Sequence, residues 1–304
     1  MIRRIVERQF DLAAPRFGQI AIWIIITCAA AITFQPFEYA QGERNPELVT
    51  VISWLPVSIL ENQMLFNVVR GLFALSAVMW LFRKWTPWTC WATVLTFTFA
   101  VSLRFENSTS VSQMYNLTNM LLAVHALWHH LCDDRIKEAA EKRAFSKTLL
   151  YPRWVFGLSL FSIAWFHTLA GISKLRESGS EWGDGVSLQL WTNLLGEKGS
   201  LGSDLLMLDT EYSAMFQTAL LGLECAALVC LLHWSLRYVV GIGLTVSYVA
   251  MCMAFPGLEF YFNAVPVALF LLPFDRWFGL GFSSEIPEVG GRGGDAAETD
   301  SANV

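Results

Sequence analysis

Charge is scarce in this sequence. Asp, Glu, Lys and Arg make up 15% of its 304 residues, against about 25% in an ordinary soluble domain. That deficit excludes a conventional water-solvated fold. The formal net charge is only −5, so the electrostatic footprint of a nucleic-acid binder is missing too. Cysteine is sparse, with Cys28, Cys90, Cys132, Cys225, Cys230 and Cys252 lying in or beside apolar runs and no CxxC pair. They read as packing residues rather than a disulfide framework or metal ligands. There is no internal repeat, no second soluble domain and no conventional signal peptide. The first apolar run is long and its CAAA (28–31) is a weak cleavage site, so it reads as a retained helix.

What the sequence does have is apolar length. It is 54% hydrophobic with thirteen tryptophans, and its mean hydropathy is +0.44. A membrane-crossing helix needs about 20 mostly apolar residues. Candidate spans are Gly18–Phe34, Leu65–Phe82, Thr86–Leu103, Tyr115–Leu131, Trp154–Ile172, Met215–His233, Tyr238–Phe255 and Phe260–Phe274. The fold class expected is an all-α polytopic membrane bundle of about eight transmembrane helices. Lysine and arginine alternate across the loops in keeping with that count. The basic MIRRIVERQF, the pair Arg83 and Lys84, the segment CDDRIKEAAEKRAFSK and Arg237 fall on one side; acidic loops 35–63 and 173–214 fall on the other. The protein is therefore expected to be an integral, multi-pass membrane protein with both termini cytoplasmic.

Two domains of unequal weight follow. Residues 1–280 form the transmembrane unit, and the glycine-rich acidic tail 281–304 is expected to be disordered. Residues 135–147 suggest a short amphipathic cytoplasmic helix. The outer loop from Ser173 to Tyr212 is too long to be structureless, and its VSLQLWTNLL is amphipathic. That loop should fold back as a cap containing an amphipathic helix.

Polar residues inside membrane helices are costly and tend to face a bundle interior. Asn67, Arg70, Asn116, Asn119, His167, Lys174, Glu224 and Asn263 mostly fall in the outer half of the expected spans. A single outward-facing polar chamber would account for them together. Taken singly, each has a plainer reading. Arg70 could pair with Glu224 or snorkel outward, the asparagines could bond between helices, Lys174 could be an interfacial anchor, and His167 a satisfied bundle histidine. His167 and Lys174 share a helix face about 10 Å apart along the axis, with Ala170 and Gly171 between them. A partly dehydrated lysine at a capped boundary gives access to a neutral amine, which can act as a base.

The fourth span ends HALWHH (His125, His129, His130), matching the H-x3-HH box of membrane di-iron desaturases. Such a centre needs about eight histidines, because each iron takes several nitrogen ligands. The chain has five. The desaturase reading fails on that count, and no metal is expected.

The stretch FHTLAGISKLRESGSEWGDGVSLQ (166–189) resembles the HTTM domain, the membrane domain shared by vitamin K-dependent gamma-carboxylases and many bacterial proteins. The matching residues are Ala170, Gly171, Lys174, Leu175, Trp182, Gly185 and Leu188, followed by Glu224, Arg237 and NAVPVALFLLPF in the family's order. The resemblance implies a helical bundle with an outward-facing reaction chamber and a reduced, vitamin K-like quinone as cosubstrate. It implies that Lys174 is the base. His167 and Glu224 would tune it, and Arg70, Asn116, Asn119, Gly171 and Trp182 are the candidate substrate-binding residues of the polar chamber. The carboxylases also carry a large lumenal region for the substrate protein, for which these residues have no room. Quinol deprotonation is therefore expected to survive without protein carboxylation, with a separate substrate protein or partner subunit as the further candidate partner. Ser173 stands where the family has a second lysine. Two readings stay open: a quinol-dependent, carboxylase-like lyase chemistry, and a non-catalytic membrane subunit that binds a quinone or lipid in the bilayer. A transporter is disfavoured by the lack of an inverted repeat.

Overall fold

The computed structural model describes residues 15–35, 52–56, 59, 62–106, 114–142, 151–255, 260–272 and 274. The basic N-terminus, most of loop 35–63, residues 143–147 and the tail 281–304, all of which carried expectations, lie outside the described residues. Among the described residues the fold is all α-helical. In chain order the helices are α1 (Pro15–Phe34), α2 (Gln63–Leu81), α3 (Trp88–Glu106), α4 (Met114–Lys142), α5 (Arg153–Ser178), α6 (Val186–Leu195), α7 (Leu201–Met207), α8 (Thr210–Cys225), α9 (Trp234–Ala254) and α10 (Tyr261–Leu271). Two 3₁₀ segments, Gly179–Gly183 and Ala227–Leu231, join α5 towards α6 and α8 towards α9.

Four of these helices are long and apolar enough to cross a membrane: α1 (over Phe17–Phe34), α2, α5 and α9. Their exposed faces support the same conclusion. On α9 the exposed residues Val239, Ile242, Val246, Val249 and Met253 form one helical stripe, and on α2 Val68, Leu72, Leu75 and Val78 form another. A water-soluble monomer rarely shows contiguous apolar patches on this scale. In lipid they are the expected outer surface.

The other expected spans differ in instructive ways. Helix α3 is rich in threonine, which lowers its hydropathy, yet each hydroxyl is satisfied locally. Thr93 donates to Thr89 O at 2.8 Å, Thr96 to Ala92 O at 2.6 Å and Thr98 to Val94 O at 2.8 Å. Such back-bonding lets a hydroxyl sit in an apolar helix. Helix α4 does not stop at Leu131 but runs on to Lys142, so the helix expected at 135–147 is in part its continuation. The expected span Met215–His233 is broken: the α-helix ends at Cys225 and a 3₁₀ turn follows.

The core is aromatic. Phe17 of α1 meets Tyr151, Phe156 of α5 and Phe270 of α10, all edge-on with centroids 5.5–5.7 Å apart. Edge-to-face packing suits the ring quadrupoles. Around it, α1, α4, α5 and α10 form the centre, with α2 and α3 packed on one flank and α8 and α9 on the other.

Three arginines fasten helix ends inside this bundle. The last carbonyls of a helix have no partner within it. Arg70 of α2 donates from Nε to Thr33 O (2.7 Å) and from Nη2 to Gln35 O (2.5 Å), closing the end of α1. Arg104 of α3 reaches the same place, bonding Ile32 O (3.2 Å) and Gln35 Oε1 (2.6 Å). Arg237 of α9, itself buried, does this for α10 through Phe270 O (2.9 Å) and Leu272 O (3.0 Å).

Candidate functional site

Lys174 stands in the last turn but one of α5, and Glu224 at the last turn of α8 before the break. The Lys174 ammonium donates to both carboxylate oxygens of Glu224, at 2.8 Å to Oε1 and 2.6 Å to Oε2. Glu224 is 5% exposed at its side chain and Lys174 25%. Charge-assisted pairs of this two-pronged kind are stronger than neutral hydrogen bonds. The Trp182 ring, carried in by the 3₁₀ turn after α5, lies 5.2 Å from Nζ, within cation–π range.

Gly171 brings the two helices together. A Cβ at this position would lie 2.8 Å from both the amide nitrogen and Sγ of Cys225 and 3.1 Å from Glu224 Cβ. Any larger residue would hold α5 off the end of α8 and draw Lys174 away from its partner. One turn earlier on α5, the Thr168 hydroxyl accepts from the Leu228 amide at 3.2 Å, steadying the chain just past the break.

His167 is fully buried beneath the pair. Its Nδ1 faces Ile163 O at 2.7 Å, and a carbonyl only accepts, so Nδ1 carries the proton. Nε2 is then the acceptor, and the Tyr248 hydroxyl of α9 donates to it at 2.9 Å. Asn263 of α10 is 2% exposed, and its Oδ1 has no hydrogen-bond partner among the described residues. His125 of α4 has the same arrangement, with Nδ1 on Leu121 O (2.7 Å) and Nε2 on the Tyr151 hydroxyl (3.0 Å).

Of the residues singled out from the sequence, Lys174, Glu224, Gly171 and Trp182 meet at one place, with His167 below them on α5. Arg70, Asn119 and Asn116 lie elsewhere. Arg70 is engaged by the end of α1 and stacks over Phe66 at 4.2 Å. Asn119 accepts from the Thr98 hydroxyl at 2.9 Å, linking α4 to α3, and Asn116 is exposed. Glu224 is held by Lys174, which answers the question of an Arg70–Glu224 pair. Tyr248, Thr168 and Arg104 were missed; each stands alone in its run, and only the tertiary fold reveals its partner.

The segment expected to cap this region holds the Gly179–Gly183 turn, α6 and α7. It is bound down by polar contacts: Gly185 N to Gln217 Oε1 (3.0 Å), Gln217 Nε2 to Ser187 Oγ (2.9 Å) and Ser203 Oγ to Ala254 O (2.9 Å). Its outer side exposes Leu190, Trp191, Leu194, Leu201, Leu205 and Leu208. A half-open cavity does occur in the structure, but it lies on α1, α2 and α4 between Gln19, Trp80, Arg83 and His129, away from Lys174. Among the described residues no group of three or more His, Cys, Asp and Glu side chains could hold a metal ion. Compared with protein families, with curated proteins and with solved structures, the chain matches none.

Proposed function

We propose that this chain is a multi-pass membrane protein of the HTTM type whose Lys174–Glu224 pair takes a proton from a reduced, lipid-soluble quinone. The observation carrying this reading is the ion pair itself: a lysine at the end of an apolar helix, a quarter exposed, bound by both oxygens of a buried carboxylate and faced by Trp182. Passing one proton from Lys174 to Glu224 leaves a neutral amine. That amine accepts the quinol proton, and the pair then holds one proton more than before. Oxygen is the co-reactant, and hydroquinone plus O2 gives quinone epoxide plus water. In this reading eight spans cross the bilayer: α1 to α5, α8 with its 3₁₀ turn, α9 and α10. Both termini are cytoplasmic, and the segment from Gly179 to Leu208 covers the outer end and limits water.

A specific observation favours a second reading. Both ring nitrogens of His167 are satisfied, as they are in His125, and the ion pair is complete without a ligand. A non-catalytic subunit that binds a quinone or lipid would need no more. Membranes containing wild type or Lys174→Ala at matched expression, given reduced menaquinone or vitamin K and oxygen, separate the two readings. Quinone epoxide from wild type alone is the expected result. No epoxide from folded wild type rejects quinol oxidation and leaves the binding subunit.

A further inference from the structure

The helices α6 and α7 carry apolar residues on the side turned away from the bundle. Along α6, Val186, Leu190 and Leu194 recur every four residues and are 57–67% exposed, while Leu188 and Thr192 face inward. Along α7, Leu201 and Leu205 are exposed, as is Leu208 just past its end, while Gly202, Ser203 and Leu206 are buried. Each helix packs one face on the bundle and turns a second, apolar set outward. A lid covered by water would carry polar residues there, and exposed apolar patches of this kind mark an interaction surface.

Depth decides what that face meets. Helix α9 has 21 residues and so is about 30 Å long, the thickness of a hydrocarbon core. Its end at Ala254 therefore marks a hydrocarbon boundary. Three contacts hold the segment at that level. Glu197 N donates to Ala254 O at 3.2 Å, Ser203 Oγ donates to the same carbonyl at 2.9 Å, and a Cβ on Gly202 would lie 2.7 Å from the Met253 carbonyl carbon. Leu188 of α6 and Leu206 of α7 share one buried cluster with Ala254 and Phe255. Met253 is the last residue of the exposed apolar stripe on α9, so α7 lies directly against the place where that lipid-facing surface stops. Polar residues limit how deep the segment goes. Asn193, Glu197, Lys198 and Asp204 are exposed within it, and headgroups and water can serve them where hydrocarbon cannot. Trp191 and Tyr212 are more than half exposed beside them, as amphipathic rings at a membrane surface are.

We infer that α6 and α7 lie in the plane of the membrane, with their exposed leucines sunk among the upper acyl chains of the leaflet at the Ala254 end of α9. The inference rests on the chain spanning a bilayer and is independent of the Lys174 chemistry. The test places the full-length protein in phosphatidylcholine vesicles doped with phosphatidylcholine that carries a photoreactive diazirine, either near the top of an acyl chain or at its end. Labelled peptides are then mapped by mass spectrometry. An in-plane helix lies about 5–10 Å into the headgroup–acyl boundary, so the chain-top probe should label α6 and α7 about as strongly as residues 249–253. The chain-end probe should label α9 around Ile242 and Val246, which lie about 12–18 Å from Ala254, and should label α6 and α7 several-fold less. Leu194→Asp combined with Leu205→Asp should lower chain-top labelling of α6 and α7 and leave α9 unchanged. Label on α9 with none on α6 or α7 overturns the inference and leaves the bilayer reading intact; that is the result for a face turned to water or covered by a second copy of the chain. Absence of label from α9 itself overturns the bilayer reading, and the inference with it.

Discussion

Lys174 and Glu224 stand on different helices fifty positions apart, yet Nζ lies within 2.8 Å of both carboxylate oxygens. The pair is asymmetric, because the carboxylate is enclosed and the lysine is a quarter exposed. Lys174→Met leaves a buried, unpaired charge and is expected to cost about 3 kcal/mol. Glu224→Gln leaves an ammonium that can turn to solvent or headgroups, and should cost about 1 kcal/mol. The double variant should recover part of the difference. Denaturant unfolding in detergent measures all three, and equal single costs would contradict the asymmetry.

Gly171→Ala tests the close approach of α5 to the broken helix. The added methyl would meet the Cys225 backbone at 2.8 Å, and backbone cannot swing aside as a side chain can. A loss of about 1–3 kcal/mol is expected. Gly157→Ala, on the same helix with open space around it, should be neutral or mildly stabilising. Similar melting temperatures for the two variants would show that the contact at Gly171 yields easily.

Tyr248→Phe and Tyr151→Phe form a matched pair. Each removes the hydroxyl that donates to a buried histidine, at 2.9 Å for His167 and 3.0 Å for His125. Both should lose about 1–3 kcal/mol. Quinol turnover, if the Lys174 site carries it, should fall in Tyr248→Phe beyond what its stability loss explains and not in Tyr151→Phe. Equal turnover in both would give His167 a structural part only.

Arg70→Gln and Arg104→Gln should each free carbonyls at the end of α1. The expected result is faster amide exchange in a peptide covering residues 28–35, with the end of α10 unaffected. Arg237→Gln should reverse the pattern, loosening the end of α10 instead. Exchange unchanged at both ends would mean that neighbouring groups replace the guanidinium.

The helical class and the apolar runs were legible in the sequence because lipid allows only a few ways to satisfy backbone groups. Gly171, Lys174 and Trp182 were legible as a set through a local pattern and Glu224 through its order after it, and the four do meet. Their mutual geometry was not, since the ion pair joins residues that hydropathy treats independently. The break after Cys225 was invisible for the same reason: LECAALVCLL is continuous by composition, and only the approach of α5 at Gly171 marks where it bends. Arg70 was misgrouped because depth along a helix does not reveal azimuth. It lies at a plausible level but turns towards α1.

The arginine clasps also give biosynthesis a direction. Helix α1 leaves the ribosome first, but the groups that close its end, on Arg70 and Arg104, belong to α2 and α3. Until those helices are made, the exit end of α1 must stay at the translocon or in the headgroup region, where water can serve its carbonyls. Helix α10 emerges with Arg237 already threaded before it. The end of α1 thus waits for two later helices before it is closed, whereas the end of α10 meets an arginine that is already made.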